Sequence, residues 1–260
     1  MKVVDLFESI ASSTWQRIHW GNFYKISQGE ETITDLNLLE LARANCPEVK
    51  VIKTAKNKEK YQGTDWEWWI GNKRLGWLRY AVQAKKINLN TSRYDVIGHK
   101  VNGILQIDIL EKYAQVNKAI PLYCFYNYLD DSSRFSDYWH CREAYNADQY
   151  GCTVAPLNHV RTAISVHGGR NFKFIHGPDC AKPWRCLVHC PSILQVYQNR
   201  PVSNTSWNFE NVTVYPTLPL ELSAACETGY LQRFSPNIYS QDLEIYPKRI
   251  LIANYEGDNA

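Results

Sequence analysis

Asp65, Glu67 and Trp69 occupy alternate positions in Thr64-Asp65-Trp66-Glu67-Trp68-Trp69, and Arg79, Ala81, Gln83 and Lys85 alternate in the same way along 77–87. Successive side chains of a strand point to opposite faces, so each set shares one face. The intervening Gly71-Asn72-Lys73-Arg74-Leu75-Gly76 is polar and bounded by glycines, which predicts a hairpin turn. Paired this way, the two strands bring an acid, an amide and a lysine to one patch. Polar groups crowded on a sheet are costly unless they pair or bind something. Asp beside Gln and Lys suits hard-cation chemistry at a phosphodiester. The Asp65 carboxylate, the Gln83 side-chain oxygen and the Ala84 backbone carbonyl are oxygen ligands for Mg²⁺ or Mn²⁺. Lys85 would position or help deprotonate a water and neutralise developing negative charge. Glu30 and Glu31 stand at the mouth of the helix preceding the hairpin, and one of them is the natural further donor.

The elements that must hold these residues are legible in the first half of the chain. Leu6, Ile10, Thr14 and Ile18 recur every four residues, predicting an amphipathic helix over 5–18 that Gly21 stops. A second helix is expected over 32–44, with Thr32 or Thr34 as N-cap and Asn45-Cys46-Pro47 ending it. The β-branched run 49–54 reads as a strand, the hairpin follows, and a helix over 103–117 leads to a strand over 120–128. This order predicts an α/β fold, a mixed sheet flanked by helices. Beyond Asp130 the pattern weakens: a helix near 158–166, a strand at 184–189, a helix near 193–198 and a late strand at 249–253 are expected. We therefore expect a core over 1–130 and an α/β extension over 131–260 packed on it.

The run Asp65…Gln83-Ala84-Lys85 resembles the D…QxK signature of the PD-(D/E)XK nuclease superfamily, in its Mrr-like restriction endonuclease branch. The longer string GEETITD, TDWEWW, VQAKK and PLYCFYN is also similar to an uncharacterised bacterial family with this core. The resemblance covers roughly residues 20–130, and its Asp-to-Gln interval is longer than usual for the superfamily. It implies a restriction-endonuclease-like fold and metal-dependent cleavage of DNA, in a setting of bacterial defence. Carried over, Asp65 is the main metal ligand, Gln83 the second motif position, Lys85 the catalytic lysine and Glu31 the acid of the first core helix. Glu67 is a candidate second-metal ligand, Glu30 a substitute for Glu31, and Gln106 a residue orienting substrate or water. Double-stranded DNA is the implied partner, with a second copy of the chain or a defence-system protein as a further one. An RNase using the same site, a non-catalytic nucleic-acid- or protein-binding relative and a carbohydrate-binding module are the other readings.

Each of these residues also has a plainer role. Asp65, Gln83 and Lys85 could line a solvated hairpin face, and Glu30 and Glu31 could complement a helix N-terminus. Trp66 and Trp68 lie opposite Asp65, where a helix must cover the sheet, so they are expected in the core; only Trp69 is placed to touch substrate. His176, Cys180, Cys186, His189 and Cys190 fit no standard zinc spacing, so structural zinc is not expected and the cysteines read as buried thiols. The 260 residues carry 29 Lys and Arg against 26 Asp and Glu, so a phosphate-binding surface must be local. Lys50, Lys53, Lys56, Lys58 and Lys60 before the motif, and Lys73, Arg74, Lys86 and Arg93 around and after it, are its candidates. No apolar run reaches the roughly 20 residues a membrane span needs, and Asp5 and Glu8 interrupt any apolar leader, so a cytoplasmic protein is expected.

Overall fold

The computed structural model describes residues 1–54, 64–177, 180–190, 207, 209, 212–228, 230–231, 247 and 249–254. The predicted helix at 193–198 and the lysines at 56, 58 and 60 lie outside them. The first half begins α1 (Val3–Phe23), α2 (Glu30–Arg43), β1 (Val49–Thr54), β2 (Trp66–Asn72) and β3 (Gly76–Lys86). A small ribbon of β4 (Lys100–Val101) and β5 (Ile104–Leu105) leads into α3 (Gln106–Val116) and β6 (Ile120–Tyr126). Then come β7 (Cys152–Pro156), α4 (Leu157–Ser165), α5 (Phe172–Ile175), β8 (Lys182–Pro183) and α6 (Cys186–His189). The last described elements are α7 (Leu220–Thr228), β9 (Tyr230–Leu231) and β10 (Arg249–Asn254).

The fold is α/β, a mixed eight-stranded sheet in the order β8-β7-β6-β3-β2-β10-β1-β9 flanked by helices. The expected β2–β3 hairpin forms, with Trp66 opposite Val82 and Asn72 opposite Gly76, so its turn is tighter than 71–76 because Gly71, Asn72 and Gly76 belong to the strands. Asn72 Oδ1 accepts from the backbone N–H groups of Arg74 and Leu75, and Gly76 supplies the left-handed φ of +83° that closes the turn. Trp66 and Trp68 are buried under α1, where Phe7 lies 6.4 Å from Trp68.

The structure departs from expectation at several points. The segment after residue 130 supplies strands to the sheet itself. β10 lies between β1 and β2, parallel to β2 and antiparallel to β1, and β7 and β8 extend the β6 edge. α1 runs through Gly21 to Phe23, and α2 is capped by Gly29 rather than a threonine, so Glu30 is its first residue. The segment expected as a strand at 184–189 forms α6, because Trp184 turns into a short helix after its backbone N–H bonds Cys152. Trp69 is buried 5.0 Å from Tyr215, in a smaller apolar cluster beneath α7, rather than open on the Asp65 face.

α1 also crosses close over Gly151, where a Cβ would strike the Ala11 carbonyl and the Trp15 amide, both backbone atoms with little freedom to yield. Gly151→Ala is expected to destabilise the fold by about 1–3 kcal/mol, the usual cost of overpacking, measured as a lower urea midpoint at unchanged m-value.

Candidate active site

Asp65 immediately precedes β2 and faces the middle of β3. Its Oδ2 accepts from the Ala84 backbone N–H at 2.7 Å and from Gln83 Nε2 at 2.5 Å, which fixes the carboxylate against the strand. With Gln83 Nε2 committed to Asp65, Gln83 Oε1 is left buried with no hydrogen-bond partner. A buried amide oxygen without a donor costs free energy unless a cation or substrate takes it.

Lys85 is two residues on and buried. Its Nζ lies 3.4 Å from Glu30 Oε1, while Glu30 Oε2 accepts from the Lys86 backbone N–H at 3.2 Å. Starting α2 at Glu30 turns this carboxylate onto β3. Glu31, the next residue and about 100° further round the helix, points outward and is exposed. The helix acid that the structure brings to Lys85 and the end of β3 is therefore Glu30 rather than Glu31. Burial pushes the Glu30 carboxyl above its ordinary value, with Lys85 opposing and the nearby Asp65 charge reinforcing the rise.

That shift sets a sign. A carboxyl whose folded pKa is raised carries a folding penalty in its ionised form. The penalty is absent below the unfolded value of 4.5, grows as pH rises above it and is complete once pH exceeds the folded value. In chelator, Glu30→Gln is expected to raise the melting temperature at pH 7 and to leave it unchanged near pH 4. A pH series of thermal melts checks this.

Glu67 shares the Asp65 face but belongs elsewhere. It is buried and accepts from Arg79 Nη2 at 2.6 Å and Nε at 3.0 Å, from the Tyr113 hydroxyl at 2.5 Å and from Trp69 Nε1 at 3.3 Å. This carboxylate is balanced by a buried guanidinium beneath α3, so the structure groups Glu67 with Arg79 and Tyr113 rather than with Asp65 and Lys85. Gln106 opens α3, and its backbone N–H bonds the His99 carbonyl at 2.9 Å; its side-chain oxygen is buried without a partner.

Tyr123 on β6 is a site residue that the sequence pattern did not reveal. The parallel β3–β6 register sets it beside Gln83, and its hydroxyl is buried with no hydrogen-bond partner. Burial raises its pKa, and the charges of Asp65, Glu30 and Asp108 add to the rise against Arg161, so it stays a neutral donor. Beside the site, a cleft of about 530 Å³ runs along Lys86, Gln28, Lys25, Arg17 and Asn88. Lys86 Nζ reaches the Gln28 carbonyl at 2.7 Å across its floor. Trp20, Phe23 and Tyr24 stand exposed at the end of α1 next to this cleft, with Trp20 and Tyr24 stacked 6.0 Å apart. Of the predicted basic residues, Lys50, Lys73 and Arg74 are exposed, and Lys86 and Arg93 are partly buried.

The donors that converge are all oxygen: the carboxylates of Asp65 and Glu30, the Gln83 amide and the Ala84 carbonyl. That set fits a hard divalent cation such as Mg²⁺ or Mn²⁺, and the orphaned Gln83 oxygen is the specific observation in favour. A family model described as a family of unknown function matches residues 3–258. The chain belongs to that family, DUF6615. The DUF6615 match runs across both halves, in keeping with a sheet that both halves build. No curated protein and no solved structure matches the chain. Among the described residues of this DUF6615 member, no helix is long and apolar enough to cross a membrane.

Proposed function

We propose that this chain is a Mg²⁺- or Mn²⁺-dependent nuclease that hydrolyses phosphodiester bonds of DNA in the cytoplasm, within a bacterial defence system of the Mrr-like type. The observation that carries the reading is the convergence of Glu30, Asp65, Gln83 and Lys85 from α2, β2 and β3, with the Gln83 oxygen left open. Asp65, Glu30, Gln83 Oε1 and the Ala84 carbonyl would hold the cation. When bound, it would polarise the scissile phosphate and make a bound water more acidic. Asp65 is oriented for its part by the Ala84 N–H and the Gln83 amide. Lys85 places a positive charge where negative charge grows on the phosphoryl oxygens, and the neutral Tyr123 hydroxyl can donate to the same group. The Lys25–Lys86 cleft would track the backbone on either side.

One observation favours a second reading. Exposed Trp20, Phe23 and Tyr24 form a surface on which unpaired bases stack, so single-stranded DNA or RNA is the competing substrate. The deciding experiment offers plasmid, linear duplex, single-stranded DNA and RNA to the full chain with Mg²⁺, Mn²⁺ or chelator, beside Asp65→Ala. Metal-dependent cleavage that Asp65→Ala abolishes supports the proposal, and the preferred polymer selects the substrate. A wild-type chain that neither cuts any of them nor binds metal through Asp65 overturns it.

A further inference from the structure

Cys141, Cys186 and Cys190 are buried together, with their sulfurs all within 4.8 Å of one another and Cys141 Sγ 3.8 Å from Cys190 Sγ. They come from two places. Cys186 opens α6 and Cys190 caps its C-terminal end one turn on, where the Cys190 N–H bonds the Cys186 carbonyl at 3.1 Å. Cys141 arrives from the segment after the 3-10 turn at Ser132–Tyr138. Two contacts brace this arrival: Trp139 Nε1 donates to the Glu143 carbonyl at 2.6 Å, and Glu143 Oε1 meets His189 Nε2 at 2.9 Å.

Thiols pack as small apolar groups, so burial alone signals nothing. Cys124 accepts from Trp184 Nε1 at 3.3 Å, and Cys152 sits between Thr14 and Asn37; each has a separate, sufficient packing account. Three sulfurs converging from separate segments differ from these. A tetrahedral thiolate site with metal–sulfur bonds of about 2.3 Å puts its sulfurs about 3.8 Å apart, the spacing of Cys141 and Cys190. Arg185, next to Cys186 in the chain, is ion-paired with Glu8 and lies 3.7 Å from Glu143, so it ties α6 to α1 and to the segment that carries Cys141.

We propose that Cys141, Cys186 and Cys190 bind a thiolate-preferring divalent metal, zinc first. The site clasps the 132–143 segment to α6. The zinc ligands considered from spacing alone differ, because His176 lies elsewhere, bonded to Thr153 Oγ1 at 2.8 Å and to the Phe172 carbonyl at 3.1 Å. Cys141 escaped notice because it is distant in sequence.

The test is elemental analysis of the full chain purified without chelator, followed by exchange of the bound metal for Co²⁺. Expected are about one zinc per chain and the visible bands of tetrahedral cobalt–thiolate coordination. Cys141→Ser, Cys186→Ser and Cys190→Ser should each lose the zinc, whereas Cys226→Ser and Asp65→Ala should keep it. Retention in Asp65→Ala separates this site from the proposed nuclease centre, whatever that centre proves to do. If the serine variants fail to fold, release of zinc from the wild type in proportion to titrated thiols decides the matter. A wild-type chain that holds no zinc after incubation with it, or a Cys141–Cys190 disulfide in the unreduced peptide map, overturns the proposal.

Discussion

Lys85→Met should slow cleavage about 10²–10³-fold while leaving Mg²⁺ affinity close to wild type, because it removes a positive charge from the reacting phosphate and no metal ligand. Asp65→Asn should weaken metal binding by at least about 100-fold and slow cleavage further still. The contrast comes from the geometry. Asp65 is pinned by the Ala84 N–H and Gln83 Nε2, whereas Lys85 contacts the site through Glu30 at 3.4 Å. Calorimetric titration of Mn²⁺ alongside single-turnover cleavage separates the two effects. Equal loss of metal affinity in both variants would show that Lys85 only holds Glu30 in place.

Glu67→Ala should cost about 3–5 kcal/mol of stability, the largest effect expected of a single replacement in this fold, because it strands the buried Arg79 guanidinium. Arg79 is 2% exposed and Glu67 0%, and Arg79 Nη1 donates to the Asn117 carbonyl at 2.9 Å. Replacing both partners together, Glu67→Leu with Arg79→Met, should recover most of the loss, since neither charge is then left unpaired. Urea denaturation of the two single variants and the double variant measures this. Cleavage per folded molecule should survive in the double variant; its disappearance would return Glu67 to the metal site.

Local pattern and topology contributed differently to what the sequence could reveal. The β2–β3 hairpin was legible because its alternation and its Gly71–Gly76 turn are local signals, and so was the burial of Trp66 and Trp68 on the face away from Asp65. The choice between Glu30 and Glu31 hinged on where α2 begins. A start at Gly29 instead of Thr32 rotates a different carboxylate onto β3. Tyr123 could not be found by spacing, since it meets Gln83 only through a parallel pairing that crosses over by way of α3. The burial of Trp69 under Tyr215 likewise depends on a segment well over a hundred residues away. A shorter separation, 49 residues between Cys141 and Cys190, was still enough to hide Cys141 from α6.

The position of β10 has a consequence in time. A ribosome releases β1, β2 and β3 long before it reaches residues 249–254, yet the ladder joining β1 to β2 consists of β10 alone. Without β10, no ladder of the folded sheet connects β1 to β2. Long-range insertion of this kind is slow compared with closing a hairpin. A nascent chain would thus carry the β2–β3 half of the site early but gain its full frame last, so any activity that needs that frame would be withheld from a half-made molecule.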